Sequence, residues 1–426
     1  MGRVAARFAR VEPRRRAARF VQGLLAGLGR TTCWSIAEYA GEAGPDGMQH
    51  LLRRARWDAE KVRDDLRDYV IEHLGDAAAG VLVVDETGDL KKGTKTVGVQ
   101  RQYTGTAGRI ENSQVAVYLT YAAPKGYAFI DRALYLPKSW TADPARMQEA
   151  GVPTEIEFAT KPALARQMIA RALAAQVPTR WVTGDEVYGA DPQLRADLVK
   201  AGMGYVLAIA KHHPITTGIG VRKAVELAVR LPRQAWQRRS AGPGAKGQRL
   251  YDWALIQTDD PAADPEATGR HWLLIRRNRS TGELAYYRAY APTEQPLATL
   301  VTVAGTRWRI EESFQSGKEL AGLDEHQVRR WRSWHRWTVL AMLAHAFLSV
   351  MTATQAPTPT GANPDQDGDR DELIPFTRNE IRRLFTAATA PIKTVAHTLK
   401  WSRWRRRHQA RARASHYRRQ AAAVSY

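Results

Sequence analysis

Four aliphatic residues in a row, Val81-Leu82-Val83-Val84, run directly into an acid, Asp85. An apolar stretch without polar alternation is the profile of a strand buried on both faces. A shorter version recurs at residues 180–183, which lead through Gly184 to Asp185. Extended segments at 97–103 and 114–121, with Gly105 and Gly108 between them, predict an antiparallel hairpin beside the first strand. A helix near 162–175, the strand at 180–183, a helix near 192–201 and a strand at 205–210 follow. Three strands, then helix, strand, helix, strand is the order of a mixed α/β sheet.

The flanking regions read differently. Residues 1–76 form a helical N-terminal domain, with apolar positions three and four apart in Phe20, Leu24 and Leu25 and again in Leu66, Tyr69 and Val70. A basic helical module of this size suits either a DNA-reading domain or a cap on the sheet. The first part of the core covers 77–210, and 211–300 is a β-rich insertion, with strands at 250–257, 271–276 and 284–290 and loops at 240–247 and 259–269. Helical period returns in the second part of the core, 301–351. A polar Pro, Thr, Asp and Gly stretch at 352–375 reads as a linker, and 376–426 is a basic C-terminal segment.

Charge narrows the partners. The 426 residues carry 64 Lys+Arg against 43 Asp+Glu, a formal charge of +21, and the excess thickens at both ends, as expected of a protein that meets a polyanion such as nucleic acid. Cys33 is the single cysteine, so disulfide frameworks and Cys-based zinc sites drop out. The apolar run from Val339 to Met351 is shorter than the ~20 residues that cross a bilayer, and no membrane partner is expected. No H-E-x-x-H, Walker A or Gly-x-Ser-x-Gly motif occurs.

Chemistry concentrates in three places. Asp85 and Asp185 end strands of one sheet, where side chains leave the core for a crevice; singly, each suits a turn or a cap equally well. The third place is Thr306-Arg307-Trp308-Arg309-Ile310-Glu311-Glu312-Ser313-Phe314-Gln315-Ser316-Gly317-Lys318. On a helix, Arg307, Glu311 and Lys318 fall within about 40° of one another, so two cations flank one acid on a single face. Two strand-end aspartates and a helix glutamate supply hard oxygen ligands for a pair of Mg²⁺ ions about 4 Å apart, the arrangement that serves phosphoryl transfer. Glu86, Asp89, Glu186 and Glu312 are the neighbouring acids most easily confused with them. In a continuing strand Glu86 points away from the face of Asp85.

In these residues the chain resembles the DDE transposases of bacterial insertion sequences, in the branch with a Tyr, Arg, Glu, Lys signature. Arg307, Glu311 and Lys318 match its R-x3-E-x6-K spacing, while its leading tyrosine falls at Ala304. Val83-Val84-Asp85-Glu86-Thr87-Gly88 resembles the strand of the family's first aspartate, and Gly184-Asp185-Glu186-Val187-Tyr188-Gly189 that of its second. The resemblance implies a ribonuclease H-like mixed-sheet core interrupted by the β-rich insertion. It implies that Asp85, Asp185 and Glu311 are catalytic and bind two Mg²⁺ ions, which Mn²⁺ can replace, with Arg307 and Lys318 on DNA phosphates. It further implies hydrolysis at the terminal inverted repeats, joining of the 3′-hydroxyl to target DNA, a homodimer on double-stranded DNA, and a cytoplasmic, nucleoid-associated setting. Trp236, Trp253 and Trp272 of the insertion are candidates either to stack an unpaired or flipped base, as related insertions do, or to fill the core of that region, and Arg405, Arg406 and Arg407 are expected to follow phosphates. The rival readings are a stand-alone metal-dependent nuclease and a non-catalytic DNA-binding protein derived from a transposase.

Overall fold

The computed structural model describes residues 1–218, 220–244, 247–260, 269–355, 375–392 and 394–424. Most of the linker expected at 352–375 lies outside the described residues.

The N-terminal region contains α1 (Val11–Leu25), α2 (Cys33–Tyr39), α3 (Asp46–Arg53) and α4 (Ala59–Leu74). Helix α1 begins nine residues before Phe20, the first apolar position that the sequence pattern marks as helical. Ala17, Phe20, Val21 and Leu24 turn inward, leaving Arg14, Arg15 and Arg19 less shielded on the outer side. Caps set the later starts: Thr32 Oγ1 accepts from Ser35 N at 3.2 Å, and Asp58 Oδ1 from Glu60 N at 2.8 Å.

After Gly80 the chain enters strands β1 (Val81–Leu90), β2 (Gln100–Thr104), β3 (Arg109–Ala123) and β4 (Gly126–Leu134). Short helices α5 (Lys138–Thr141) and α6 (Pro144–Ala150) precede α7 (Lys161–Ala174), β5 (Trp181–Gly184), α8 (Glu186–Gly189), α9 (Pro192–Lys200) and β6 (Gly204–Ile209). A small hairpin, β7 (Pro214–Thr217) and β8 (Gly220–Lys223), and α10 (Ala224–Val229) lead to β9 (Gln237–Gly244), β10 (Gly247–Thr258), β11 (Arg270–Arg277) and β12 (Leu284–Ala291).

These strands make one 10-stranded mixed sheet in the order β2-β3-β1-β5-β6-β12-β11-β10-β9, with β4 also paired to β3. β1, β5 and β6 run parallel, and β3 is antiparallel to β1. β12 pairs antiparallel with β6, Tyr287 opposite Ala208. The stretch expected to be an insertion therefore continues the sheet. Strand β9, a loop by its Ser, Gly and Pro content, is the outer strand, where exposed polar residues are tolerated.

Helices α11 (Leu297–Thr306), α12 (Trp308–Ala321) and α13 (Trp331–Thr354) return to the sheet, and α14 (Arg378–Thr389) and α15 (Val395–Val424) end the described chain. Among the described residues α13 alone is long and apolar enough to cross a membrane, and 67% of its most apolar window is buried. Its apolarity is explained by neighbours on several sides: α1, α3, α4, α12, α14 and β4. The spacing of Trp331, Trp334 and Trp337 among arginines suits either a DNA-facing stripe or tryptophans packed in the core, and Trp334, Arg336 and Trp337 are buried. The Arg336 guanidinium donates to the carbonyls of Ala55 and Trp57, both at 2.7 Å, tying α13 to the segment that follows α3.

Candidate active site

Asp85 lies one residue past the point where β5 stops pairing with β1, at Val84 opposite Gly184. From there β1 pairs on one side only, with Asp85 opposite Tyr118 of β3. The open edge is filled by Asp185, which caps α8 by accepting from Val187 N at 2.9 Å. Gly189 fixes the seat of that helix: a Cβ there would meet Ala208 O at 1.9 Å, so only glycine lets α8 lie this close to β6.

An oxygen from each of Asp85, Glu86 and Asp185 lies within 4.8 Å of the others. Burial pushes the Asp85 carboxyl up to about 8, helped by the neighbouring charges of Asp185 and Glu86 and opposed by Arg307. Burial, then Glu86, also raises Asp185. Glu311 is held one guanidinium away: Arg307 Nη2 donates to Glu311 Oε1 at 2.9 Å, and Arg307 Nη1 lies 3.6 Å from Asp85 Oδ2. Burial weakens the charge on Arg307, but Glu311 and Asp85 outweigh it and raise its pKa.

The remaining signature residue faces the same edge. Lys318 Nζ donates to Thr87 Oγ1 at 2.8 Å, two residues along β1 from Asp85, so α12 presents Arg307, Glu311 and Lys318 to one face of that strand. Phe314 anchors the helix against Tyr118 and Phe129, each with ring centroids 5.5 Å away. Glu86 leaves on the other face, where Lys161 Nζ donates to its Oε1 and Tyr188 Oη to its Oε2, both at 2.6 Å.

The other acids have separate partners. Asp89 lies 2.9 Å from His326 Nε2, Glu312 accepts from Arg309 at 2.9 Å, and Glu186 is exposed. Trp253 and Trp272 are 1% and 6% exposed, so neither ring offers a face to a base, a correction to the sequence expectation that follows from their inward positions on β10 and β11. Trp253 nevertheless borders a cavity of about 510 Å³ shared with Asp185, Arg307, Arg249 and Arg276. Among the described residues, the buried donors Trp253 Nε1, Arg249 Nε and Arg276 Nε find no hydrogen-bond partner. A larger cavity, about 980 Å³ around Arg132 and His335, shares no residue with the carboxylates.

Arg405, expected on phosphate, is bound to Glu38 of α2 at 2.6 Å, whereas Arg406 and Arg407 make no ion pair among the described residues. Trp401 is buried, donating to Glu42 O at 2.9 Å, and Trp404 packs edge-on against Trp34 with centroids 4.6 Å apart. The basic C-terminal helix is thereby docked on the N-terminal helices.

Donor chemistry decides what the carboxylates can hold. Three hard oxygen donors converge on a point where Arg307 does not offset the burial of Asp85 and its acidic neighbours, and this set fits Mg²⁺ or Mn²⁺. A carboxylate cluster at the strand ends of a mixed sheet suits a metal-dependent enzyme of phosphoryl transfer.

Comparison with known families narrows that class. A sequence profile described as DDE superfamily endonuclease matches residues 3–243, and one described as Transposase DDE domain matches 159–347. The chain belongs to the DDE superfamily endonucleases. It is 29% identical over 260 residues to a probable transposase for insertion sequence element IS701 from Microchaete diplosiphon, an overlap of 58% of this chain and 63% of that protein. The chain thus spans less than two thirds of that curated relative. The crystal structure of the NurA nuclease from Sulfolobus solfataricus aligns with a TM-score of 0.29 and 8% identity over 61% of this chain and 86% of that one.

Proposed function

We propose that this chain is a DNA transposase that binds the terminal inverted repeats of an insertion sequence, hydrolyses the phosphodiester at the element ends and joins the freed 3′-hydroxyl to target DNA. The observation that carries it is the meeting of Asp85 and Asp185, far apart in sequence, at the open edge of β1 with Arg307, Glu311 and Lys318 arranged over it. The strand order β4-β3-β1-β5-β6, with β1, β5 and β6 parallel, supports a ribonuclease H-like core.

Asp85 and Asp185 would hold the divalent ions, with Glu311 joining when Arg307 turns to a phosphate. Two such ions, when bound, activate the attacking oxygen and stabilise the departing one. Arg307 and Lys318 neutralise the phosphodiester beside the acids and so bring negative DNA to a negative pocket. The cavity of about 510 Å³ beside Asp185, lined by Arg249, Arg276 and Arg307, suits an unstacked nucleotide next to the cut. Arg16 of α1 pairs with Glu42, whose carbonyl accepts from Trp401 of α15, and arginines of these two helices would contact the phosphates of the repeats. Two ends must be handled together, which two copies on DNA would do.

The test is Mg²⁺-dependent cutting and joining of DNA carrying the inverted repeats that flank this gene. Asp85→Asn should bind that DNA as the parent does and lose cutting. Cutting by the variant at the parental rate would refute the assignment, and cutting without joining by the parent would leave a nuclease.

A further inference from the structure

Glu86 is placed where strand alternation says it should not matter. Its neighbour Asp85 faces α12, and Glu86 itself emerges on the face of α7 and α8. It still reaches Asp85 and Asp185 because β5 ends at Gly184 and leaves the edge of β1 open.

Both of its oxygens are aimed. Tyr188, wholly buried, sits on the one-turn helix that Asp185 caps, so one short segment fixes an acid of the cluster and the hydroxyl that orients another. Lys161 is the first residue of α7, whose N-cap Thr160 accepts from Ala163 N at 3.2 Å. A cation in the first turn opposes the helix dipole. Its position is explained by the 2.6 Å contact with Glu86, both side chains being mostly shielded from water.

We propose that Glu86 is a metal-ligating carboxylate of the transposase centre, oriented toward Asp85 and Asp185 by Tyr188, with Lys161 the cation that a bound metal ion replaces. Among the described residues it is Glu86, and not Glu311, that shares the cluster. This assignment rests on the metal-dependent reading above, and its test is separate from activity.

Mn²⁺ titrated into the full chain without DNA and followed by electron paramagnetic resonance reads the site directly. Glu86→Gln should weaken Mn²⁺ binding about tenfold or more, while Lys161→Met, which leaves the carboxylate and removes its cation, should not weaken it. Parental affinity in Glu86→Gln overturns the proposal, and an equal loss in Lys161→Met shows Glu86 to be only an ion-pair partner. Parental affinity in Asp85→Asn would instead overturn the underlying metal reading. If Glu86→Gln fails to melt cooperatively, Tyr188→Phe decides: a loss of a few-fold, one hydrogen bond's worth, supports the assignment, and no loss overturns it.

Discussion

Arg307 separates two acids that would otherwise share a pocket, 2.9 Å from Glu311 and 3.6 Å from Asp85. In the proposed function the same guanidinium meets a phosphate entering over Asp85. Arg307→Gln is expected to lower the cutting rate about a hundredfold or more, the scale of removing one charged transition-state interaction, with a much smaller change in DNA affinity. Single-turnover cutting assays check this, and a rate near the parent's would contradict it. Spacing makes Arg307, Glu311 and Lys318 legible, because helical geometry turns a run of letters into a face. Glu86 is not legible as a member of the cluster: alternation places it on the far side of β1, and only the early end of β5 opens the way round. Tyr188 carries no such signal, since its contact joins segments 102 positions apart.

The elements around the centre are unevenly legible, for physical reasons. In sequence, helix α13 has the pattern of a basic and aromatic stripe, yet Arg336 directs its donors to carbonyls inside the fold and Trp334 and Trp337 fill the core. Strands β4 and β9 leave little trace in the sequence pattern, β9 because an outer strand needs little apolar content. His345 shows what burial in α13 costs. Its Nε2 lies 2.9 Å from Ser316 Oγ, its buried Nδ1 finds no partner among the described residues, and burial, then Arg378, holds its pKa well below the ordinary value. Below a pH of about 6.5 the unfolded chain takes up a proton that the folded His345 refuses. Stability should therefore be unaffected by this group above that pH and fall by about 1.4 kcal/mol per unit below it, until the folded imidazole itself titrates. Calorimetry near neutral pH and again about two units lower should show a smaller loss of Tm in His345→Leu than in the parent; equal losses would contradict the assignment.

At the scale of the whole molecule, the basic C-terminal helix α15 is docked on the N-terminal region. Buried Trp401, with Trp404 against Trp34, holds α15 to α2 and the turn that follows it, and Arg16 of α1 pairs with Glu42 of that same turn. Deleting residues 401–426 should weaken DNA binding and flatten its salt dependence by roughly 0.9 in log–log slope for each phosphate that the segment neutralises. Binding isotherms between low and moderate salt measure this, and an unchanged slope would take the segment off the phosphates. Charge asymmetry is plain in the sequence, but the packing that joins its ends is not, because Trp34 and Trp404 are far apart in the chain. The central claim, that the acids at the edge of β1 form a metal centre, is tested most directly by anomalous diffraction from crystals soaked in Mn²⁺. A manganese peak among the carboxylates of Asp85, Glu86 and Asp185 is the expected result; saturating Mn²⁺ with no peak there would contradict it.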